Sequence, residues 1–156
     1  MSRAKPAVVR FYFDADVLGL AHVVAALRSD ATFPGDPGAV IKRRERPPSP
    51  IADPGIEDDV WIPRVASLGY LIITRDSRIQ QHRAEIAAVK TNNARMVALS
   101  GDEARGTWQQ LEVLMRNWRA LEDRTRLTGP SRPHHWISAT PLQPRSTTLS
   151  LLRVAV

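Results

Sequence analysis

The run Val8-Val9-Arg10-Phe11-Tyr12-Phe13-Asp14-Ala15-Asp16 limits the fold more than any other stretch of the chain. A short, almost continuous apolar segment ends abruptly in two carboxylates spaced two residues apart. Apolar residues rich in Val and aromatics over so short a length predict a strand buried on both faces, as in a parallel sheet. The run Tyr70-Leu71-Ile72-Ile73-Thr74-Arg75-Asp76 repeats the pattern of apolar strand followed by an aspartate. Open α/β sheets collect their ligand sites at the carboxyl ends of their strands. Two such ends pointing the same way would bring Asp14 and Asp76 together.

Between these strands, Val17, Leu18, Leu20, Ala21, Val24 and Leu27 predict a helix that is apolar nearly all round. Asp16 is read either as its N-cap or as a metal ligand, and His22 as a packed, hydrogen-bonded side chain. Residues 29–56 are rich in Pro and Gly and predict an irregular loop. Inside it lies the densest basic run, Lys42-Arg43-Arg44-Glu45-Arg46, either a solvated loop or an arm that tracks phosphates. A short helix is expected to begin close to Pro63, because proline is tolerated only in a first turn. It stops at Gly69, a good residue just past a helix end. The acidic triplet Glu57-Asp58-Asp59 then stands at the helix entrance, where the helix dipole favours carboxylates.

After the second strand, residues 77–89 read as a helix, Asn92-Asn93 as a turn and residues 94–99 as a third strand, followed by Asp102. Trp108, Leu111, Leu114, Met115, Trp118 and Leu121 recur at spacings of three and four and predict an amphipathic helix over residues 103–124. Its aromatics are expected in the core. Residues 134–139 read as a last edge strand, and the apolar end after Leu149 as a tail that docks on the domain or on a partner. The division expected is a domain over residues 1–128 and a C-terminal edge strand and tail over 129–156, the latter available to a partner.

The 156 residues suffice for one domain with a real core. No apolar run approaches 18 residues, the N-terminus lacks a signal-like segment, and there is no cysteine. These features predict a cytoplasmic protein without membrane contact, disulfides or thiolate metal sites. The net charge is +6, and only 3 of the 22 basic residues are Lys. Arg excess suits bidentate phosphate contacts, so a basic domain with internal acidic clusters points to nucleic acid. An Arg-favouring composition alone would give the same charge.

The order of elements predicts an α/β/α sandwich with a mainly parallel sheet, whose right-handed crossovers keep strand ends on one side. Asp14, the 57–59 cluster and Asp76 would then share a pocket. Several carboxylates cannot stay ionised and close without a counterion. Oxygen-only ligands select Mg²⁺ or Mn²⁺ over Zn²⁺, and such an ion serves phosphodiester hydrolysis. Arg75 and Arg78 flank this pocket, as phosphate ligands or as partners of the same carboxylates.

Phe11-Tyr12-Phe13-Asp14, Asp58-Asp59-Val60-Trp61-Ile62-Pro63 and Ile72-Ile73-Thr74-Arg75-Asp76 together resemble the PIN-domain nucleases, most closely the VapC-type toxin branch of toxin–antitoxin systems. The resemblance spans roughly residues 8–124 and implies an α/β/α fold, an acidic quartet binding Mg²⁺ or Mn²⁺, cleavage of RNA, and an antitoxin that blocks the site. Carried over singly, Asp14 matches the first acid, Asp58 (or Glu57 or Asp59) the second and Asp76 the third. The fourth has no clear match, with Asp102 as the candidate. On this resemblance Asp14, Asp58 and Asp76 hold the metal, Asp58 or Asp59 binds or orients the attacking water, and Lys42, Arg43, Arg44, Arg46, Arg75 and Arg78 contact RNA. Monomer and homodimer are both left open. Asp14-Ala15-Asp16-Val17 also resembles the haloacid-dehalogenase phosphatase signature, with Thr74, Lys90 and Gly101-Asp102-Glu103 following in that family's order; there Asp14 would be a nucleophile. A third reading is a non-catalytic interaction domain whose carboxylates only cap helices and pair with Arg.

Overall fold

The computed structural model describes residues 3–75, 91–99 and 104–126, together with the backbone of residues 149–151. The expected helix at 77–89, the edge strand at 134–139, and Asp76, Arg78 and Asp102 lie outside the described residues. In chain order the elements are β1 (Lys5–Pro6), β2 (Phe11–Phe13), a 3-10 turn (Ala15–Val17), α1 (Leu18–Leu27), β3 (Ala31–Thr32), β4 (Ala39–Ile41), β5 (Arg44–Arg46), α2 (Asp58–Ser67), β6 (Leu71–Thr74), β7 (Arg95–Leu99), α3 (Thr107–Arg126) and β8 (Leu149–Leu151).

Five strands form the main sheet in the order β3-β2-β6-β7-β8. The first four are parallel, and β8 closes one edge antiparallel to β7. The period-two alternation of strand side chains divides the core between two faces. Phe11, Phe13, Leu71, Ile73, Val97 and Leu99 face α1 and α3, where they meet Leu20, Val24, Leu114, Trp118 and Leu121. Tyr12, Ile72 and Met96 face the other way, against Trp61, Ile62 and Val65 of α2. Helices therefore cover both faces, giving the three-layer α/β/α sandwich. That is why β2 and β6 read as continuous apolar runs rather than alternating ones. The close approach of α1 to α3 needs Gly19, where a Cβ would stand 2.5 Å from Thr107 Oγ1.

Several boundaries differ from expectation. The strand expected over the run from Val8 is β2, which starts only at Phe11, and Val8 is 77% exposed. Arg10 interrupts the apolar run because its guanidinium is bonded to Asp30 and Thr125 beneath the sheet. Asp16 does not cap α1, whose N-cap position is Val17 with no side-chain cap bond; Asp16 lies within the 3-10 turn, and Asp14 caps that turn, accepting from Ala15 N. His22 is exposed rather than buried, with its ring centroid 4.6 Å from that of Phe33 in an edge-to-face contact. On α3, Trp118 is core, at 4.8 Å from Phe11, but Trp108 and Met115 are 67% and 61% exposed. The apolar stripe read there is wider than the face that packs.

Helix α2 begins at Asp58, five residues before Pro63, which sits inside it. Pro63 removes one i→i−4 bond, to Asp59. The helix tolerates this because its inner face, Trp61, Ile62 and Val65, is at most 3% exposed. It ends as expected at Gly69, whose φ of +74° is a left-handed value that glycine adopts freely.

The stretch expected to be an irregular loop contains β3 of the main sheet and contributes β4 and β5 to a second, three-stranded sheet of order β1-β5-β4. β4 and β5 form a hairpin with Ile41 opposite Arg44. The two residues between them, Lys42 and Arg43, have φ of +47° and +63°, the signature of a type I′ turn. Arg46 anchors this sheet to α1, donating to the carbonyls of Ala25 and Arg28 and pairing with Asp36 at 2.7 Å.

Candidate active site

Strand order locates the site. β3 joins β2 on one side, and β6 and β7 join it on the other, so the winding direction reverses between β2 and β6. Crevices at such switch points, outside the carboxyl ends of the strands, are where open α/β sheets take ligands. The register pairs Phe13 with Ile73, and Asp14 N still donates to Ile73 O at 2.9 Å. Asp14 and Thr74 therefore leave the sheet side by side.

Thr74 is fully buried. Its Oγ1 lies 3.2 Å from Asp14 Oδ2 and 3.1 Å from Asp16 Oδ2. Asp16 also accepts from Arg75 N at 2.9 Å. The carboxylate read as a cap or ligand thus ties the turn after β2 to the end of β6. A threonine hydroxyl has one hydrogen and donates to one carboxylate at a time.

The surroundings of Asp14 favour its protonated form more than water does. Burial, then the neighbouring Asp16 and, more weakly, Asp58 push the Asp14 carboxyl up to about 7, against hydrogen bonds from Ala15 N–H and Thr74 that favour the ionised form. Burial and the Asp14 charge likewise raise the Tyr12 phenol. Asp58 reaches this neighbourhood from the first turn of α2, where its Oδ1 accepts from Trp61 Nε1 at 2.7 Å. Asp58 is half-buried, whereas Glu57 and Asp59 are exposed. The sequence left open which acid of the triplet faces inward; Asp58 does.

The basic residues divide. Arg75 is exposed beside the carboxylates. Lys42, Arg43 and Arg44 are exposed on the hairpin, which belongs to the opposite end of the sheet, since β1 leads into the start of β2. Arg46 is a correction. It is 5% exposed and spent on Asp36 and two carbonyls, so its guanidinium is not available to RNA.

The described donors suit a hard cation. Neither Asp14 nor Asp58 pairs with Lys or Arg among the described residues, and burial and then like charge raise Asp14 with no counterion lowering it. No group of three His, Cys, Asp or Glu side chains forms a complete metal cage among the described residues. Mg²⁺ does not require one, since it keeps several waters and is usually held by one or two carboxylates. Among the same residues, no helix is long and apolar enough to cross a membrane.

Sequence reasoning missed two supports. Thr74 was read as a strand end and as part of the two family motifs, and Trp61 as part of the motif at 58–63, neither as a partner of a carboxylate. The signal for Trp61 was its i, i+3 spacing from Asp58, which puts the two on one helix face.

No curated protein and no solved structure matches the chain. A family model described as a PIN-like domain matches residues 9–101, a span that holds β2, α2 and β6 and with them Asp14, Asp58 and Thr74. The phosphatase resemblance has no such support and leaves Asp58 without a task. The chain belongs to the PIN-like domain family, within a superfamily of nucleases.

Proposed function

We propose that this chain is a Mg²⁺- or Mn²⁺-dependent endoribonuclease, acting as the toxin of a toxin–antitoxin pair and held in check by a cognate antitoxin protein. The observation that carries the reading is the half-buried Asp14 carboxyl at the β2/β6 switch point, raised to about 7 with Asp16 and Asp58 beside it. Asp14 and Asp58 would hold the ion, with Asp76 following Thr74 in sequence as a third ligand. When bound, the ion supplies charge neutralisation at the scissile phosphate and a lowered pKa for the attacking water.

The chain's own residues do the rest. Ala15 N–H and Thr74 fix the two oxygens of Asp14, so its carboxylate is aimed before substrate arrives. Trp61 holds one oxygen of Asp58, which leaves the other to orient a water. Asp16 fastens the backbone at Arg75 and so fixes the start of the segment that leads to Asp76. The exposed Arg75 would be free to reach a phosphate oxygen flanking the scissile bond.

The test uses purified protein and a fluorophore-quencher RNA, with Mg²⁺ or Mn²⁺ and with EDTA. Wild type should cleave only with metal. Asp14→Asn, a nearly isosteric change, should abolish cleavage while the protein stays folded. Undiminished cleavage by that variant would refute the proposal, and so would a wild type that is inert with either ion.

A further inference from the structure

At the end of the sheet away from Asp14, the segment joining β1 to β2, the corner between α1 and β3, and the β4–β5 hairpin enclose a groove of about 420 Å³. Its floor is aliphatic: Ala7, Val8, Leu27 and Ile41. Val8 is 77% exposed and Leu27 64%. Its rim is basic. Arg10 and Arg28 are committed to Asp30 and Glu122, but Lys42 and Arg44 make no ion pair among the described residues. Lys42 is held over the groove at a φ of +47°, in a turn that ordinarily takes Asn-Gly. A non-glycine residue stays in that conformation at a cost, and such outliers gather at binding sites.

We infer that this groove docks an extended segment of a protein partner in which Asp or Glu alternate with aliphatic residues. Aliphatic side chains cover Val8 and Leu27, and carboxylates meet Lys42 and Arg44. Nucleic acid fits less well. Sequence-tolerant binding of single strands uses aromatic faces on which bases stack, and no aromatic residue lines the groove. RNA would also leave the aliphatic floor uncovered. The inference is independent of the nuclease reading, because the groove shares no residue with the Asp14 site.

The test measures fluorescence anisotropy of the full chain with three fluorescein-labelled probes: a short peptide of alternating Leu and Glu, its Leu/Gln counterpart, and an oligouridylate of equal length. The Leu/Glu peptide should bind saturably, and the Leu/Gln peptide about tenfold more weakly or worse. Lys42→Glu with Arg44→Glu should cost at least about tenfold, and so should Leu27→Asp. Replacing Lys42-Arg43 by Asn-Gly keeps the turn and should also weaken binding, which guards against a misfolded hairpin. Asp14→Asn should bind the peptide like wild type whatever its effect on RNA cleavage. Equal binding of the two peptides, no binding of the acidic one, or groove-dependent binding of oligouridylate alone would overturn the inference.

Discussion

Asp58 Oδ1 accepts a hydrogen bond of 2.7 Å from the indole N–H of Trp61, one turn further along the same helix. Trp61 is 3% exposed and stacks on Tyr12, with centroids 5.3 Å apart. The ring thus joins the core under α2 to the only acid of the triplet that faces Asp14.

Trp61→Phe should separate these two roles. Phenylalanine keeps much of the packing against Tyr12 but donates nothing to Asp58. A lost hydrogen bond and partial loss of volume should cost about 1–3 kcal/mol in urea denaturation. Groups that orient metal ligands typically matter about 10–100-fold in affinity or activity. Mn²⁺ affinity, read as a thermal shift against concentration, and RNA cleavage should both fall within that range. A variant that loses stability but keeps both would leave Trp61 as packing only.

Two aspartates should give the metal-free protein opposite responses to pH. The Asp14 carboxyl has an ordinary value of 3.8 and is raised by burial and by Asp16 to about 7. Between those values the unfolded chain has released a proton that the folded protein retains, so stability falls as pH rises through that window. Asp30 behaves the other way. Burial acts to raise it, but hydrogen bonds and charge from Arg28 and Arg10 outweigh burial and hold it below its ordinary value. Its contribution is present above the unfolded value and is lost as pH falls through the folded one. Denaturation midpoints of Asp14→Asn should therefore lose the decline from about pH 4 to 7, and those of Asp30→Asn should lose part of the acid-induced drop. Mn²⁺ should stabilise wild type most near and above neutrality, where Asp14 is ionised. An unchanged pH profile in Asp14→Asn would show that its environment does not favour the proton.

What was legible in the sequence follows from which physical rules had no competitor. β2, β6 and β7 were readable because an apolar run too short for a helix and ending in polar residues has few other uses. The Trp118 face of α3 was readable from its periodicity. The start of α2 was not, because a proline inside a helix costs about 3 kcal/mol and only the burial of Trp61, Ile62 and Val65 tells that it is tolerated. The hairpin was hidden because its turn carries Lys42-Arg43 where Asn-Gly would have announced it. Asp14 stood out as a strand-end acid, and the inward turn of Asp58 needed the true helix start. Thr74 could not be singled out as the link between Asp14 and Asp16, since that contact depends on the register between two strands sixty residues apart in the chain.

Arg46 should matter to the fold and not to RNA. Its ion pair with Asp36 has side chains 4% and 1% exposed, and Thr32 Oγ1 and Gly38 N also donate to Asp36. Removing one partner of a buried pair strands the other charge and typically costs about 3–5 kcal/mol. Arg46→Ala should lose stability of that order by urea denaturation. At a temperature where the variant is folded, its affinity for RNA, measured in EDTA, should match wild type. A loss of RNA affinity in the folded variant would return Arg46 to the binding surface.

The strained turn offers the last test. Arg43 has a φ of +63° and an exposed side chain, and a left-handed conformation costs a non-glycine residue roughly 1–2 kcal/mol. Glycine adopts it without that penalty, although it gives the unfolded chain more freedom, which takes back roughly 0.5–1 kcal/mol. Arg43→Gly should therefore raise stability by about 0.5–1 kcal/mol, whereas Arg43→Ala should leave it nearly unchanged, because alanine keeps the strain. The pair separates backbone from side chain. If the turn is held only by its backbone, glycine stabilises and alanine does nothing. If both variants destabilise the hairpin, the Arg43 side chain makes an interaction that the strain is keeping in place.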